Sequence, residues 1–380
     1  MAKQQPREQE QQLIAQMLEF QDDPLSFVLY AFPWGKANSP LENAKGPRGW
    51  QIEALTEMRD HFARNRNKTR QQLDPELLKI AIASGRGIGK SAFLAWIALW
   101  LFSCVPSSTV IVSANTEQQL KSTTFPEIRK WATMAIHANW FEHNAMSLRP
   151  ADWLVQSLKA TTEYDDAYWY IQARLWSEES PDAFAGVHSQ KGMAVLFDEA
   201  SGIPSVIWPV TQGYFTDKTV HRFWVAISNP RNPSGAFFEC FNANRDTWWN
   251  RTVDARSVNE NDQALYQQII KQYGADSDEA RVEVYGMFPR QGDQQFISRG
   301  EVDDAIAREV DTDNGAPLLM GVDPARFGDD EAVIAFRQGR NADVIPWRKY
   351  KRCSTAELAS SCAEYIDKYK PDGVFVEGDG

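Results

Sequence analysis

The stretch Ser84-Gly85-Arg86-Gly87-Ile88-Gly89-Lys90-Ser91 is the most informative part of this sequence about its fold. It follows a β-rich apolar run at residues 79–84 and opens a helical pattern. The three glycines free the backbone so that N–H groups can turn toward phosphate oxygens, and the positive end of a helix favours the same charge. The strict pattern has glycine where Ser84 stands, but the strand–turn–helix context predicts a phosphate-binding loop.

Two residues of this loop have predicted chemical roles. Lys90 would reach the β- and γ-phosphates of ATP, and the hydroxyl of Ser91 would hold Mg²⁺. The alternative is a glycine-rich turn that binds no ligand. Further polar residues at strand ends favour phosphate binding over this alternative.

The pattern around the loop predicts an α/β fold. Short β-rich apolar runs lie at residues 79–84, 109–114, 168–173, 193–197 and 222–228, and helical stretches separate them. Such alternation is typical of a mostly parallel sheet covered by helices on both faces. Residues 92–105 form the longest apolar run, which is too short to span a membrane and predicts a buried helix.

Two of these runs end in residues suited to hydrolysis. Residues 193–197 lead into Asp198 and Glu199, which fit a Mg²⁺ anchor and a base that orients the attacking water. The run 222–228 ends in Ser228 and Asn229, which could sense the γ-phosphate. Solvated acids and an ordinary turn are the alternatives for each feature taken alone.

A second acidic pattern follows residue 317. Residues 318–323 and 331–337 are predicted to pair as strands around Gly328, and a helix at 355–369 precedes a strand at 373–377. Asp323 and Glu377 end two of these strands, and carboxylates that converge from strand ends can hold two divalent ions. Asp379 is the alternative second ligand. Asp323 could instead cap a turn.

Composition limits the remaining possibilities. Cys104, Cys240, Cys353 and Cys362 are scattered, which argues against structural zinc and fits a cytoplasmic protein. The net charge of −11 allows DNA binding only through a local positive face. Residues 59–70 carry five basic side chains and one acid, so they are either a solvated helix end or a contact with DNA or a partner.

These motifs together resemble the large terminase subunit of tailed bacteriophages, from about Trp50 to Gly380. Arg86 matches an arginine common in the family's phosphate loop, and Gln51 resembles an upstream glutamine that reads adenine. Asp198 and Glu199 match its Walker B acids. The further similar stretches are Ser228-Asn229-Pro230, residues 181–186, Gly286-Met287-Phe288-Pro289 and residues 321–330.

The resemblance implies an ATPase that moves double-stranded DNA into a procapsid. It also implies an RNase H-like nuclease that depends on Mg²⁺ or Mn²⁺ and cuts concatemeric DNA. Its partners would be the portal protein, the small terminase subunit and further copies in a homo-oligomeric ring, a pentamer, in the host bacterial cytoplasm. Arg174 is a candidate arginine acting in trans. A superfamily 2 helicase or remodelling ATPase, and a scaffold that binds nucleotide without hydrolysis, are the alternatives.

The predicted domains follow from these motifs. Residues 1–45 are expected to form a polar arm with an amphipathic helix, and residues 46–248 a P-loop ATPase domain with a strand added between the Walker strands. Residues 249–300 would form a lid or linker, with a helix at 262–273. Residues 301–380 would form the RNase H-like domain, expected to be incomplete because the chain stops just after a strand.

Overall fold

The computed structural model describes residues 8–159, 166–290, 305, 307–308, 310, 315–325, 331–351 and 353–378. The chain divides into two compact units, Met1–Ser298 and Arg299–Gly380, called here the N-terminal and C-terminal units. No helix among the described residues is both long enough and apolar enough to cross a membrane.

An eight-stranded sheet forms the centre of the N-terminal unit. Its strands are β1 (Leu78–Ser84), β2 (Thr109–Ala114), β3 (Phe141–His143), β4 (Ser147–Pro150), β5 (Tyr170–Ala173), β6 (Gly192–Asp198), β7 (His221–Ser228) and β8 (Trp249–Val253). Their order is β3-β4-β5-β2-β6-β7-β1-β8. The six strands from β5 to β8 in this order are parallel, whereas β3, β4 and β5 pair antiparallel. The predicted α/β class with a mostly parallel sheet is confirmed.

Strand β7 lies between β1 and β6, which is the added strand predicted between the two motif-bearing strands. All residues of β2 and β6 are buried. Ile80 and Ile82 belong to one apolar cluster and Ala81 and Ala83 to another. Successive side chains of a strand point to opposite faces, so the sheet has an apolar layer on each face.

Helices cover both faces of this sheet. They are α1 (Glu8–Glu19), α2 (Pro24–Ala31), α3 (Gly49–Arg70), α4 (Lys90–Cys104), α5 (Glu117–Gln119), α6 (Phe125–Met134), α7 (Asp152–Lys159), α8 (Ile207–Gln212), α9 (Ala236–Glu239), α10 (Gln263–Tyr273) and α11 (Asp278–Ala280). Every residue of α4 from Phe93 to Cys104 is buried, which confirms the predicted core helix. A helix that is apolar on all sides lies in the core, since it has no polar face to present to water.

The N-terminal segment differs from the predicted polar arm. Met17, Phe27 and Val28 are fully buried in the larger apolar cluster. Asp22 accepts two hydrogen bonds of 2.7 Å from Arg66 of α3 and one of 2.6 Å involving His221 Nε2 of β7. The two short helices therefore form part of the N-terminal unit's core, and the polar pattern of α1 describes only its outer face.

The segment after residue 248 also contributes to the N-terminal unit. Strand β8 pairs in parallel with β1, so the sheet extends past the predicted domain boundary. Helix α10 begins after Asp262, whose carboxylate accepts hydrogen bonds from the N–H groups of Ala264 and Leu265. The predicted helix in this segment is confirmed, and its start follows from the capping side chain.

The C-terminal unit contains a four-stranded sheet and one long helix among its described residues. The strands are β9 (Leu318–Asp323), β10 (Glu331–Gln338), β11 (Arg348–Lys351) and β12 (Gly373–Val376), and the helix is α12 (Thr355–Tyr369). The order is β11-β10-β9-β12, with β12 parallel to β9 and the other pairs antiparallel. The predicted pairing of β9 with β10 is confirmed, while the Gly328 turn lies outside the described residues.

Candidate active site

The phosphate loop connects β1 to α4 as predicted. Strand β1 ends at Ser84 and α4 begins at Lys90. Gly87 and Gly89 have φ angles of +78° and +85°. Only glycine adopts this left-handed region at low cost, which explains why glycines stand at these two positions. The first N–H groups of α4 lack helical partners and are available to an anion.

Side chains from the start of α3 contact the carbonyl face of the loop. Gln51 is 1% exposed, and its Nε2 donates to the Gly89 carbonyl over 3.0 Å while its Oε1 accepts from the Arg48 N–H over 2.8 Å. Both ends of the amide are therefore engaged within the chain. The contact of Gln51 with adenine stays a prediction, because Nε2 and Oε1 can each make one more hydrogen bond.

The side chain of Lys90 reaches the tip of β7. Its Nζ donates to Asn229 Oδ1 over 2.5 Å, and Asn229 Nδ2 donates to the Ser84 carbonyl over 2.9 Å. Burial lowers the pKa of the Lys90 ammonium, which the nearby Glu199 and Asp198 carboxylates partly offset. Asn229 thus holds the lysine and the end of β1 together.

The two acids at the end of β6 have different surroundings. Asp198 is 2% exposed and accepts a hydrogen bond of 2.7 Å from Thr124 Oγ1. Burial, and then the adjacent Glu199, raise the pKa of Asp198 to about 6. Glu199 has a φ of +49°, and its Oε2 accepts a hydrogen bond of 3.3 Å from Ser228 Oγ. Since β6, β7 and β1 are adjacent and parallel, their carboxyl ends meet at one edge of the sheet.

This donor set fits a Mg²⁺ ion that is bound together with nucleotide phosphates. Such an ion keeps several waters and phosphate oxygens, and needs only one or two protein oxygens. Asp198 and the Ser91 hydroxyl offer these ligands. Over the described ranges, no group of three or more His, Cys, Asp or Glu side chains could hold a metal ion without such help.

Arg86 projects from the loop toward the segment after β8. Its guanidinium forms an ion pair with Glu283, and Arg231 Nη2 donates to the same carboxylate over 3.0 Å. The Arg86 N–H also donates to the Glu283 carbonyl over 2.9 Å. One acid therefore holds two arginines beside the phosphate loop.

In the C-terminal unit, Asp323 and Glu377 lie at the ends of adjacent parallel strands. Val376 is in register with Val322, and the Glu377 N–H donates to the Val322 carbonyl over 3.0 Å. Both acids line a cleft of about 550 Å³ together with Trp347. The two predicted acids therefore share one cleft, and Asp379 lies outside the described residues.

The chain is similar in sequence to a phage protein. The chain is 26% identical over 318 residues to the probable terminase, large subunit, of Enterobacteria phage P7, with 79% of this chain covered. It spans 62% of that relative's length. The resemblance to the large terminase subunit is confirmed. No family model matches the chain.

Two solved terminase structures are also similar. The large terminase from a thermophilic bacteriophage, in complex with ADP, matches with a TM-score of 0.42 and 13% identity, covering 79% of this chain and 72% of that chain. The large terminase ATPase domain of Thermus phage P74-26 matches with a TM-score of 0.38 and 16% identity. The match covers 59% of this chain and 98% of that domain. The fold of the present chain is established by its own strand order.

Arg174, the candidate arginine acting in trans, is engaged within its own chain. Its Nη2 donates to the carbonyls of Ala183 and Ala185 over 2.9 and 2.8 Å, and its guanidinium lies over the rings of Phe184 and Tyr214. These contacts tie β5 to residues 181–185. They favour a structural role for this side chain over an exposed catalytic one.

Several residues of the candidate site carry no sequence motif that would have identified them. Thr124, which bonds to Asp198, lies beyond β2 in a stretch with no motif. Glu283 lies almost two hundred residues after Arg86.

Most basic side chains of residues 59–70 pair with acids of the same chain. Arg59, Arg64, Arg66 and Lys68 each contact one acid, which favours the solvated-helix interpretation.

Proposed function

We propose that the N-terminal unit binds ATP with Mg²⁺ and hydrolyses it. The observation that supports this most is the meeting of three strand ends, where Lys90 contacts Asn229 and Glu199 contacts Ser228. A phosphate loop, two acids and a polar sensor are the parts that hydrolysis of a nucleoside triphosphate requires.

Each part has a proposed role. The loop from Ser84 to Ser91, including Gly85, Arg86 and Ile88, surrounds the phosphates, and Lys90 contacts the β- and γ-phosphates. Asp198 and Ser91 hold Mg²⁺, whose charge favours the ionised form of the Asp198 carboxyl. Glu199 orients the attacking water and accepts its proton. Ser228 and Asn229 sense the γ-phosphate. The loss of this phosphate on hydrolysis would change their contacts and so displace the end of β7.

We propose that hydrolysis drives double-stranded DNA into a procapsid. The support is the sequence similarity to the probable large terminase subunit of phage P7. The protein would act as a homo-oligomeric ring, a pentamer, docked on the portal protein in the host bacterial cytoplasm, and the small terminase subunit would deliver the DNA.

We propose that the C-terminal unit is an RNase H-like nuclease that cuts concatemeric DNA. Asp323 and Glu377 would hold Mg²⁺ or Mn²⁺, with Asp379 as a further oxygen ligand. The cleft that the first two acids line supports this role. A superfamily 2 helicase would instead need a second RecA-like domain with a parallel sheet, whereas the pairs β9–β10 and β10–β11 of this unit are antiparallel.

The proposal is tested by ATP hydrolysis with Glu199→Gln. The amide keeps the shape of the side chain but cannot accept a proton, so turnover should fall about 10²–10⁴-fold while ATP binding persists. Glu142→Gln, an exposed acid of the distant edge strand β3, is the matched control. Turnover is measured by phosphate release and binding by calorimetry. Wild-type turnover in Glu199→Gln would remove Glu199 from this role, and absence of ATP binding by the wild type would refute the proposal.

A further inference from the structure

The start of α3 offers three side-chain donors to the phosphate loop. We infer that Arg48, Trp50 and Gln51, called here the α3 brace, hold the loop in its phosphate-binding shape, and that Gln51 acts there as a positioning residue. This inference rests on the proposed nucleotide site. The role of these three side chains is separate from the roles of the loop motif and of the acids at the strand ends.

The three donors meet three consecutive carbonyls. Arg48 Nη1 donates to the Gly87 carbonyl over 2.7 Å, and Trp50 Nε1 donates to the Ile88 carbonyl over 3.0 Å. Gln51 Nε2 donates to the Gly89 carbonyl over 3.0 Å. The brace therefore covers the whole carbonyl face of the loop immediately before α4.

Each donor is itself fixed in place. The Gln51 Oε1 accepts from the Arg48 N–H, which ties the amide to the first turn of α3. The Trp50 ring contacts the Phe93 ring of α4 with centroids 5.3 Å apart. A Cβ atom at Gly89 would lie only 3.0 Å from Gln51 Nε2, so little space remains between the amide and the loop. Nε2 and Oε1 of Gln51 thus each have a partner within the chain.

The orientation of the carbonyls fixes the orientation of the N–H groups. A trans peptide unit directs its C=O and N–H to opposite sides. Because the carbonyls of residues 87–89 point to α3, the N–H groups of Ile88, Gly89 and Lys90 point away from it, toward the side where phosphate would bind. A preformed set of donors avoids the entropy of ordering the loop when the ligand arrives.

This arrangement predicts that removal of a brace side chain lowers the binding affinity equally for every ligand that carries the phosphates. Removal of one neutral hydrogen bond weakens binding about 3- to 10-fold. A residue that braces the loop should affect ADP, GDP and inorganic pyrophosphate equally. A residue that reads adenine should affect ADP alone, because GDP presents a different edge and pyrophosphate has no base.

The experiment measures the Kd values of these three ligands with Mg²⁺ by calorimetry. Trp50→Phe keeps an aromatic ring and removes the donor, and Gln51→Met keeps the length of the side chain and removes both polar atoms. Arg48→Met, at the surface, is a further variant in case either of these fails to fold. Trp153→Phe, on α7, is the control, because its indole N–H donates to the Asn139 carbonyl, away from the loop.

The expected result is a 3- to 10-fold rise in Kd for all three ligands in each brace variant, with no change in Trp153→Phe. Unchanged affinities in folded brace variants would overturn the inference while leaving the nucleotide site intact. A loss confined to ADP in Gln51→Met would also overturn it, in favour of base reading. If the wild type binds none of the ligands, the proposed function itself fails.

Discussion

Asp198 shows how a single residue can be poor for stability and suited to function. Its carboxylate is buried at the end of β6 next to Glu199, and it accepts hydrogen bonds from Thr124 Oγ1 and from the Glu199 N–H. Desolvation penalises the charged form, which is why the pKa rises from 3.8 to about 6. Such a site favours a bound cation, because the positive charge of the cation would stabilise the buried carboxylate in its ionised form.

The raised pKa of Asp198 predicts a pH-dependent stability. The folded protein keeps this proton up to about pH 6, whereas the unfolded chain releases it near 3.8. Stability from this group is therefore present at low pH and is lost as pH rises through that window. A rise to about 6 corresponds to about 3 kcal/mol.

Replacement of the carboxyl by an amide should remove this cost. Without metal or nucleotide, Asp198→Asn should be up to about 3 kcal/mol more stable than the wild type at pH 7.5 and similar to it below pH 4. Urea denaturation at both pH values measures the difference. Asp182→Asn, at an exposed acid, is the control and should show no such pH dependence. Equal stability of Asp198→Asn and wild type at pH 7.5 would contradict the prediction.

At the scale of elements, the segment after β8 closes tightly on the phosphate loop. The π-helical turn Arg281–Tyr285 ends at Gly286, which has a φ of +68°. A Cβ atom there would lie 2.6 Å from the Ser84 Cα and 2.8 Å from the Gly85 N. Backbone atoms cannot move aside as a flexible side chain can. The glycine therefore permits β1 and this turn to meet.

Gly286→Ala should consequently damage both stability and the loop. The left-handed conformation alone costs about 1 kcal/mol, and the steric overlap should add about 1–3 kcal/mol. Gly35→Ala is the matched control, since Gly35 has a φ of +64° and open space around it. Urea denaturation and ADP binding should both be affected in Gly286→Ala. Equal unfolding free energies for the two variants would show that the close contact is unimportant.

At the scale of the whole molecule, the proposed ring predicts that subunits depend on one another. Addition of Glu199→Gln protein to wild type in equal amounts should reduce ATPase activity below half, because an inactive subunit would also stall its neighbours. Phosphate release at several protein concentrations measures this, and the wild type's specific activity should rise with concentration. Activity that falls only in proportion to dilution, at every concentration, would argue against a ring.

DNA cutting by the C-terminal unit and ATP hydrolysis by the N-terminal unit should respond independently to substitutions. Asp323→Ala should abolish metal-dependent cutting of supercoiled plasmid and leave ATP hydrolysis unchanged, since the acid belongs to the C-terminal unit. Plasmid linearisation is followed on gels with Mg²⁺, with Mn²⁺ and with chelator, and Asp343→Ala serves as an exposed control. Metal-dependent cutting that persists at the wild-type level in Asp323→Ala would contradict the nuclease assignment.

Buried elements were predictable from the sequence because their patterns are local. The strands β1, β2, β6 and β7 and the helix α4 consist of apolar runs, and such runs are buried wherever the chain folds. The short strands Phe141–His143 and Ser147–Pro150 were not predicted. They lie at the edge of the sheet, where exposed residues interrupt the apolar pattern and only the antiparallel pairing with a neighbour makes them strands.

Residue order alone predicts the phosphate loop, the acids at the ends of β6, β9 and β12, and the sheet that aligns them, because glycine spacing and apolar periodicity act over a few residues. Which side chains contact the loop depends on the tertiary fold. Gln51 contacts Gly89 across 38 residues, and Thr124 contacts Asp198 across 74. Such partners are chosen by where the folded chain passes, and no local pattern of residues records that path.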